Sequence, residues 1–346
     1  MKLGITMPSR TAPMSRIPEY ARWADEAGFE SVWTYELYRN PFAMLATAAM
    51  TTTNAELCTG LAAGFTRSPF EAANAAADVD ELSGGRMKLG LGTGVPEFLA
   101  AFHSTDFDKP VARIGEYIDA LRLSWDYLGG EQVKPYEGQH YQFVAPPVNP
   151  WGLRELARPQ IPILLAGMRP RLLKLAGAKA DGWIGYLYTP KFFEQVVLPN
   201  ITEGARSAGR DVDDLDLACE IICCVHPDRD VAFARARKHV GFYIAHPVSD
   251  VVAGLEGVQD QVDALRISMM QKGPAAFEDT PDELVELFSI TGTPEECRQK
   301  LERYRDLPHL ALHTSYVPPF DAAESEDCYT QIIDAFGRSA SYLPGS

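Results

Sequence analysis

The chain has 346 residues, 46% hydrophobic and 23% charged, which supplies a large core and excludes disorder as the main state. Its 32 lysines and arginines face 47 aspartates and glutamates, a formal net charge of −15. That balance excludes charge-driven binding to nucleic acid or anionic membranes, which needs a basic surface, but leaves room for one basic pocket that takes a small ligand.

No secretory pattern opens the chain, and no run of 18 apolar residues occurs in it, so no membrane span is expected. The cysteines, Cys58, Cys219, Cys223, Cys224, Cys297 and Cys328, form no CxxC pair and no Cys/His ligand spacing. They read as reduced thiols packed in a core, which places the protein in the cytoplasm. The histidines are scattered without HExxH, so no metal is expected. GxSxG and GxxxxGK[ST] are both absent, leaving serine hydrolase and P-loop chemistry without support.

In chain order, residues 2–7 read as a strand and 15–27 as a helix closed by Gly28. Residues 31–34 are a second strand, 41–51 a helix, and 56–61 a third strand. Ser68-Pro69-Phe70-Glu71 has the form of a capping box with proline at the first helical position, and Gly84-Gly85 ends that helix. A fourth strand at 86–91 precedes a long helix at 111–127. Residues 129–160, rich in Gly, Pro and aromatics, read as a hairpin or loop insertion. Strands at 161–166, 182–185 and 215–225 alternate with helices at 171–178, 190–208 and 230–244. Residues 246–290 are extra helical material with a capping box at Thr280-Pro281-Asp282-Glu283, and a further capped helix opens at Thr293-Pro294-Glu295-Glu296. A strand at 309–314 and a helix at 322–339 complete the series. Eight strands alternating with helices predict an α/β fold, a (β/α)₈ TIM barrel with insertions, as one domain over 1–346.

Chemistry on such a barrel sits at the C-terminal strand ends. Glycines in Gly90-Leu91-Gly92-Thr93-Gly94 permit a tight turn and close approach to a flat or anionic ligand, or serve only a strand end that needs small residues. Val95-Pro96-Glu97 stands where a dinucleotide fingerprint would have its third glycine, against a Rossmann reading. Glu36 ends an apolar strand, as either a solvated carboxylate or a carboxylate in a ligand site. Arg67 and Arg169 each suit a phosphate, or a charge held near a helix start.

The segments EAGFESVWTYE, FTRSPFEAANAAADVDELSGGRMKLGLGTG, YEGQHYQF, PQIPILLAGMRPRLLKLAGAKADGWIG and GTPEECRQKLERY run in order along nearly the whole chain. Together they resemble the luciferase-like monooxygenase superfamily, and FTRSPF resembles its F420-dependent oxidoreductase branch. The resemblance implies a barrel holding the deazaflavin coenzyme F420, or alternatively FMN, at its mouth. It implies Glu36 beside the ring, as the candidate catalytic acid, and Gly60-Leu61-Ala62 as the bulge behind the ring, where a cis non-proline bond is common. Gly92-Thr93-Gly94 then lies along the ring and its side chain. Ala166-Gly167-Met168-Arg169-Pro170 is the phosphate loop, with Tyr186 near it. Phe65, Phe98, Phe102 and His103 are expected to line the substrate pocket. Sugar-phosphate dehydrogenases of the family carry a Glu directly after GTG and a His beside the strand-two acid; this chain has Val95 and Leu37. Sugar-phosphate oxidation is therefore disfavoured. The expected activity is hydride transfer between C5 of the deazaflavin and a small organic substrate, in a homodimer. The rivals are an FMN-dependent monooxygenase and a non-catalytic flavin-binding protein.

Overall fold

The structure, a computed structural model, describes residues 1–146, 152–315 and 322–338. Eight parallel strands close on themselves: β1 (Lys2–Thr6), β2 (Ser31–Thr34), β3 (Glu56–Thr59), β4 (Met87–Gly92), β5 (Ile163–Ala166), β6 (Gly182–Gly185), β7 (Asp216–Val225) and β8 (His309–Thr314). Each pairs with the next, and β8 returns to β1 with Thr6 opposite His313. Helices cover the outside, so the strands are buried on both faces and read as near-continuous apolar runs. Trp33, Cys58, Leu164, Ile184, Ala218 and Ala311 form the cluster inside the barrel, and the larger core lies between strands and helices.

Three caps test the helix starts. Thr293 and Glu296 form a full reciprocal box. At Ser68 only half forms: Ser68 Oγ accepts from the Glu71 amide at 3.1 Å, while the Glu71 carboxylate lies against Arg67 Nε at 3.3 Å. The box expected at Thr280 does not form. Thr280 Oγ1 donates to the Phe277 carbonyl at 2.8 Å, and the helix begins one residue later, at Asp282, without a side-chain cap.

Two insertions appear where expected. The first contains an antiparallel hairpin of Tyr136–Glu137 with Gln142–Phe143, and its residues 147–151 lie outside the described residues. The second is helical but ends in a strand, Ser289–Gly292, that pairs with the far end of β7. The final helix runs Ala322–Phe336; residue 339 lies outside the described residues. A short helix, Pro96–His103, follows β4 where the sequence had suggested none. All six cysteines are free and buried, and none of the described helices is long and apolar enough to cross a membrane.

Ion pairs close the N-terminal end of the barrel. Lys88 Nζ reaches Glu56 at 2.9 Å and also contacts Asp216. Lys2 Nζ contacts Glu56 at 2.9 Å. His309 lies 3.4 Å from Asp216 through Nδ1 and 2.7 Å from Ser31 Oγ through Nε2. Glu56, Asp216 and His309 are close enough to resemble a metal-ligand set, but Lys88 and Lys2 together already offset the charge of the two carboxylates. Burial disfavours the charge on Asp216; hydrogen bonding and charge from His309 and Lys88 outweigh it and hold that carboxyl well below its usual range. Burial likewise opposes ionisation of Glu56, and Lys88 and Lys2 overcome it.

Unfolded carboxylates titrate near pH 4, so these depressed groups stabilise the fold fully above that range and lose their contribution as pH falls through it. The urea midpoint of the wild type should therefore drop between about pH 6 and pH 3.5. Lys88→Met leaves the half-buried Asp216 with His309 alone and Glu56 with Lys2 alone, and should cost up to about 3 kcal/mol at neutral pH. Its midpoint should fall less over the same acid interval, because its carboxylates gain from protonation.

Candidate active site

At the C-terminal mouth, Glu36 follows β2 and meets Arg67, which precedes the helix Pro69–Ser83. The guanidinium grips the carboxylate at two points, Nη2 to Oε1 at 2.6 Å and Nη1 to Oε2 at 2.9 Å. Thr66 Oγ1 donates to Oε1 at 3.1 Å and the Ala63 amide to Oε2 at 2.8 Å. Each oxygen thus accepts two hydrogen bonds, and the side chain is only 7% exposed. A carboxylate held by four donors braces what surrounds it. Arg67 is the ion-pair partner of Glu36, and the pair lies in the wall of the smaller cavity described below.

The braced segment is the bulge between β3 and the two-residue strand Ala62–Ala63. Its Gly60–Leu61 peptide bond is cis, which locates the bond that the sequence had left unplaced. The Glu36 amide donates to the Leu61 carbonyl at 3.0 Å, and the Gly60 amide to the Thr34 carbonyl at 2.7 Å. Ala62 pairs with Leu91 and Ala63 with Gly92, so the bulge is clamped from both neighbouring strands. Glycine is required at position 60: a Cβ there would lie 2.5 Å from a Glu220 carboxylate oxygen. Gly94 is required for a different reason, its φ of 76°, which disfavours a side chain. A Cβ at 94 would only touch Leu99 at 3.4 Å. Thr93, half-buried, points its hydroxyl to the Gly94 carbonyl at 3.3 Å.

Two cavities open at this rim. One, about 390 Å³, is lined by Ser9, Arg10, Thr11, Tyr35, Leu37, Tyr38, Arg39, Met44 and Ala322. The other, about 290 Å³, is lined by Glu36, Leu37, Tyr38, Arg39, Asn40, Arg67, Phe98, Phe102 and His103. The helix Pro96–His103 brings Phe98, Phe102 and His103 together: the Phe98 ring lies 5.2 Å from each of the other two. Phe65 joins neither cavity. Its ring is buried beneath the Arg113 guanidinium, 4.2 Å from the ring centre.

Beyond β5, the Ala166-Gly167-Met168 turn leads into the helix Pro170–Lys179. Gly167 fits there because a Cβ would strike Leu172 at 2.7 Å, and its carbonyl accepts from Trp183 Nε1 at 2.7 Å. Arg169 is the N-cap residue but supplies no side-chain cap and is exposed. The first-turn amides therefore have no side-chain acceptor, as an anion site requires. Tyr186, past β6, turns toward the barrel interior rather than this loop. Its hydroxyl is 3.2 Å from His239 Nε2, and its ring is 4.3 Å from that of Tyr243.

Tyr186 belongs to a buried polar group that sequence reasoning missed. His239 Nδ1 contacts Ser315 Oγ at 3.0 Å, and Ser315 Oγ contacts Cys224 Sγ at 2.9 Å. Glu220 accepts from Thr6 Oγ1 at 3.2 Å and faces His313 at 3.7 Å. The His313 ring stacks on Tyr35 at 5.5 Å. Burial, aided by His313, holds His239 well below its ordinary value, and burial pushes the Tyr186 hydroxyl well up. At neutral pH His239 is thus a neutral imidazole. The available signal was Glu220 itself, a lone acid inside LACEIICCV.

Residues 1–309 match the family described as luciferase-like monooxygenase. The chain belongs to that family. It is 30% identical over 303 residues to a 5,10-methylenetetrahydromethanopterin reductase of Methanolobus tindarius, covering 85% of this chain and 88% of the relative. Its fold is similar to that of the coenzyme F420 dependent tetrahydromethanopterin reductase from Methanopyrus kandleri, with a TM-score of 0.79 at 24% identity over 97% of each chain. It is also similar to the oxygenating constituent of 3,6-diketocamphane monooxygenase of Pseudomonas putida in complex with FMN, with a TM-score of 0.69 at 15% identity over 99% of each chain.

Removing either partner of the Glu36–Arg67 pair strands the other in a largely dry site. Arg67→Met and Glu36→Gln should each lower stability, by up to about 3–5 kcal/mol. The double variant should cost clearly less than the sum of the two. Denaturant unfolding of all four proteins measures this.

Proposed function

We propose that this enzyme is an F420-dependent oxidoreductase that moves a hydride between the deazaflavin and a small organic substrate. The observation that carries the proposal is the clamped Gly60–Leu61–Ala62 bulge at the barrel mouth. It offers a fixed apolar surface against which a flat tricyclic ring can rest, braced by the Glu36–Arg67 pair. The 30% identity to a reductase over 85% of the chain supports reduction over oxygenation. Val95 and Leu37, in place of proton-transfer residues, disfavour sugar-phosphate oxidation and leave reduction of an apolar substrate open.

When bound, the deazaflavin supplies the hydride at C5, and carbon in place of N5 keeps it from activating oxygen. The protein's share is placement and exclusion of water. The bulge fixes the ring plane, and Gly92-Thr93-Gly94 leaves room alongside it. The uncapped first turn of Pro170–Lys179 receives the phosphate through backbone amides, with Arg169 free to swing onto it from solvent. Phe98, Phe102 and His103 cover the substrate side. Glu36 holds the bulge through the Ala63 amide.

Titration by fluorescence quenching should give micromolar or tighter binding of F420 and much weaker binding of FMN. FMN binding about tenfold tighter than F420 would instead make the chain a flavin-dependent oxygenase. Tight F420 binding without turnover of any electron acceptor or donor would make it a carrier. Arg169→Ala should weaken intact F420 by about tenfold, the scale of one charge-assisted hydrogen bond, and leave binding of a deazaflavin fragment without the phosphate unchanged.

A further inference from the structure

Successive side chains on a strand point to opposite faces, so the barrel interior is layered. Trp33, Cys58, Leu164, Ile184, Ala218 and Ala311 make one apolar layer. Two residues nearer the mouth on the same strands stand Tyr35, Gly60, Ala166, Tyr186, Glu220 and His313, which form the floor of the mouth. That floor is uneven. After β3 and at the end of β5 it is Gly60 and Ala166, without polar side chains. Past β6 and on β7 and β8 it is Tyr186, Glu220 and His313.

Glu220 stands where the two halves meet. A Cβ on Gly60 would come within 2.5 Å of its carboxylate oxygen, so the carboxyl lies directly against the bulge. Thr6 Oγ1 donates to it at 3.2 Å, and His313 Nδ1 is 3.7 Å away. The residue is 4% exposed. Other buried carboxylates are engaged in the frame: Asp25 accepts from the Thr53, Asn54 and Ala55 amides, and Arg158 grips Asp80 at 2.7 and 3.0 Å. Among the described residues no lysine or arginine pairs with Glu220; its partners are a hydroxyl and an imidazole. Burying a carboxyl without a cation is costly, a cost that acid–base sites commonly carry.

The neighbouring groups are poor proton carriers. Burial, with Glu220 among the further causes, pushes the Tyr35, Tyr186 and Tyr243 hydroxyls up, so these phenols keep their protons at neutral pH. His239 is held neutral by burial and by His313. Glu36 spends its two oxygens on four donors.

We propose that Glu220 is the acid–base residue of the reaction, and that the substrate carries an uncharged C=O or C=N bond whose heteroatom meets this carboxyl beside the bulge. This deepens the proposed function and rests on it for the hydride. In the reductive direction the hydride forms a C–H bond at the substrate carbon, and the π pair moves to the heteroatom. The heteroatom takes its proton from the Glu220 carboxyl. The substrate is reduced and the reduced deazaflavin is oxidised. The Glu220 carboxylate regains a proton from water after the product leaves. Thr6 and His313 hold the carboxyl in place.

The test uses the full chain, reduced F420 and two hydride acceptors, benzaldehyde and the cation N-methyl-3,4-dihydroisoquinolinium. The aldehyde needs a hydride and a proton, whereas the iminium cation becomes a neutral amine on taking the hydride alone. Glu220→Gln keeps an oxygen for Thr6 but has no proton to give. It should slow oxidation of reduced F420 by benzaldehyde about a hundredfold or more, the scale of general acid catalysis, and change the iminium rate less than threefold. Its F420 affinity by fluorescence quenching should stay within twofold of wild type. Glu220→Asp carries the same comparison if Glu220→Gln does not fold, and should slow the aldehyde alone. Equal slowing of both acceptors, or weakened F420, would make Glu220 a support of the bulge and overturn the proposal. An aldehyde rate unchanged in Glu220→Gln but lost in His103→Gln would move the proton to the cavity wall and overturn it too. So would a wild type that binds F420 tightly and reduces the iminium but not the aldehyde. Failure of the wild type to bind F420 refutes the proposed function itself, which sets that outcome apart from the others.

Discussion

The barrel mouth depends on the ion pair between Glu36 and Arg67. Taking two charges out of water is costly, and their attraction repays it only when the geometry is good and the remaining lone pairs are filled. Here both conditions hold, because the 2.6 Å contact sits in a carboxylate that also accepts from Thr66 and the Ala63 amide. The pair joins three pieces of chain: the end of β2, the bulge after β3, and the segment leading into the helix Pro69–Ser83. Strand pairing clamps the bulge on either side, and the ion pair ties that clamp to the helix beyond it.

The two ends of the barrel divide the work. At the N-terminal end, Lys88 and Lys2 offset the charges of Glu56 and Asp216. At the mouth the polar groups are of two kinds. Some, such as Glu36, are tied into the frame. Arg169, by contrast, is exposed at the start of the helix Pro170–Lys179. This partition is what a barrel enzyme needs, since the stable end can stay constant while strand-end loops carry the chemistry.

The eight strands were readable because parallel strands covered on both faces must be apolar throughout, and short turn-rich segments separate them. Glu36 was readable as a position at a strand end, but its role was not. Its partner Arg67 is 31 residues away, and only the closed barrel brings them together. The helix Pro96–His103 escaped notice because it is eight residues long and its N-cap, Val95, carries no capping group. Thr280 looked like a cap by spacing, yet burial against Phe277 gave its hydroxyl a nearer acceptor. The placement of Tyr186 turned on the same limit: sequence fixes which loop a residue occupies, whereas packing against Tyr243 and His239 decides which way it faces.

The length of β7 has its own consequence. It runs ten residues, and its pairing with β6 ends at Cys219, so six further residues extend past that neighbour, about 20 Å at strand rise. Ser289–Gly292 takes up the edge so exposed. The barrel is therefore built like a bowl with one raised side. The two cavities open elsewhere on the rim, beside Leu37–Arg39 at the end of β2.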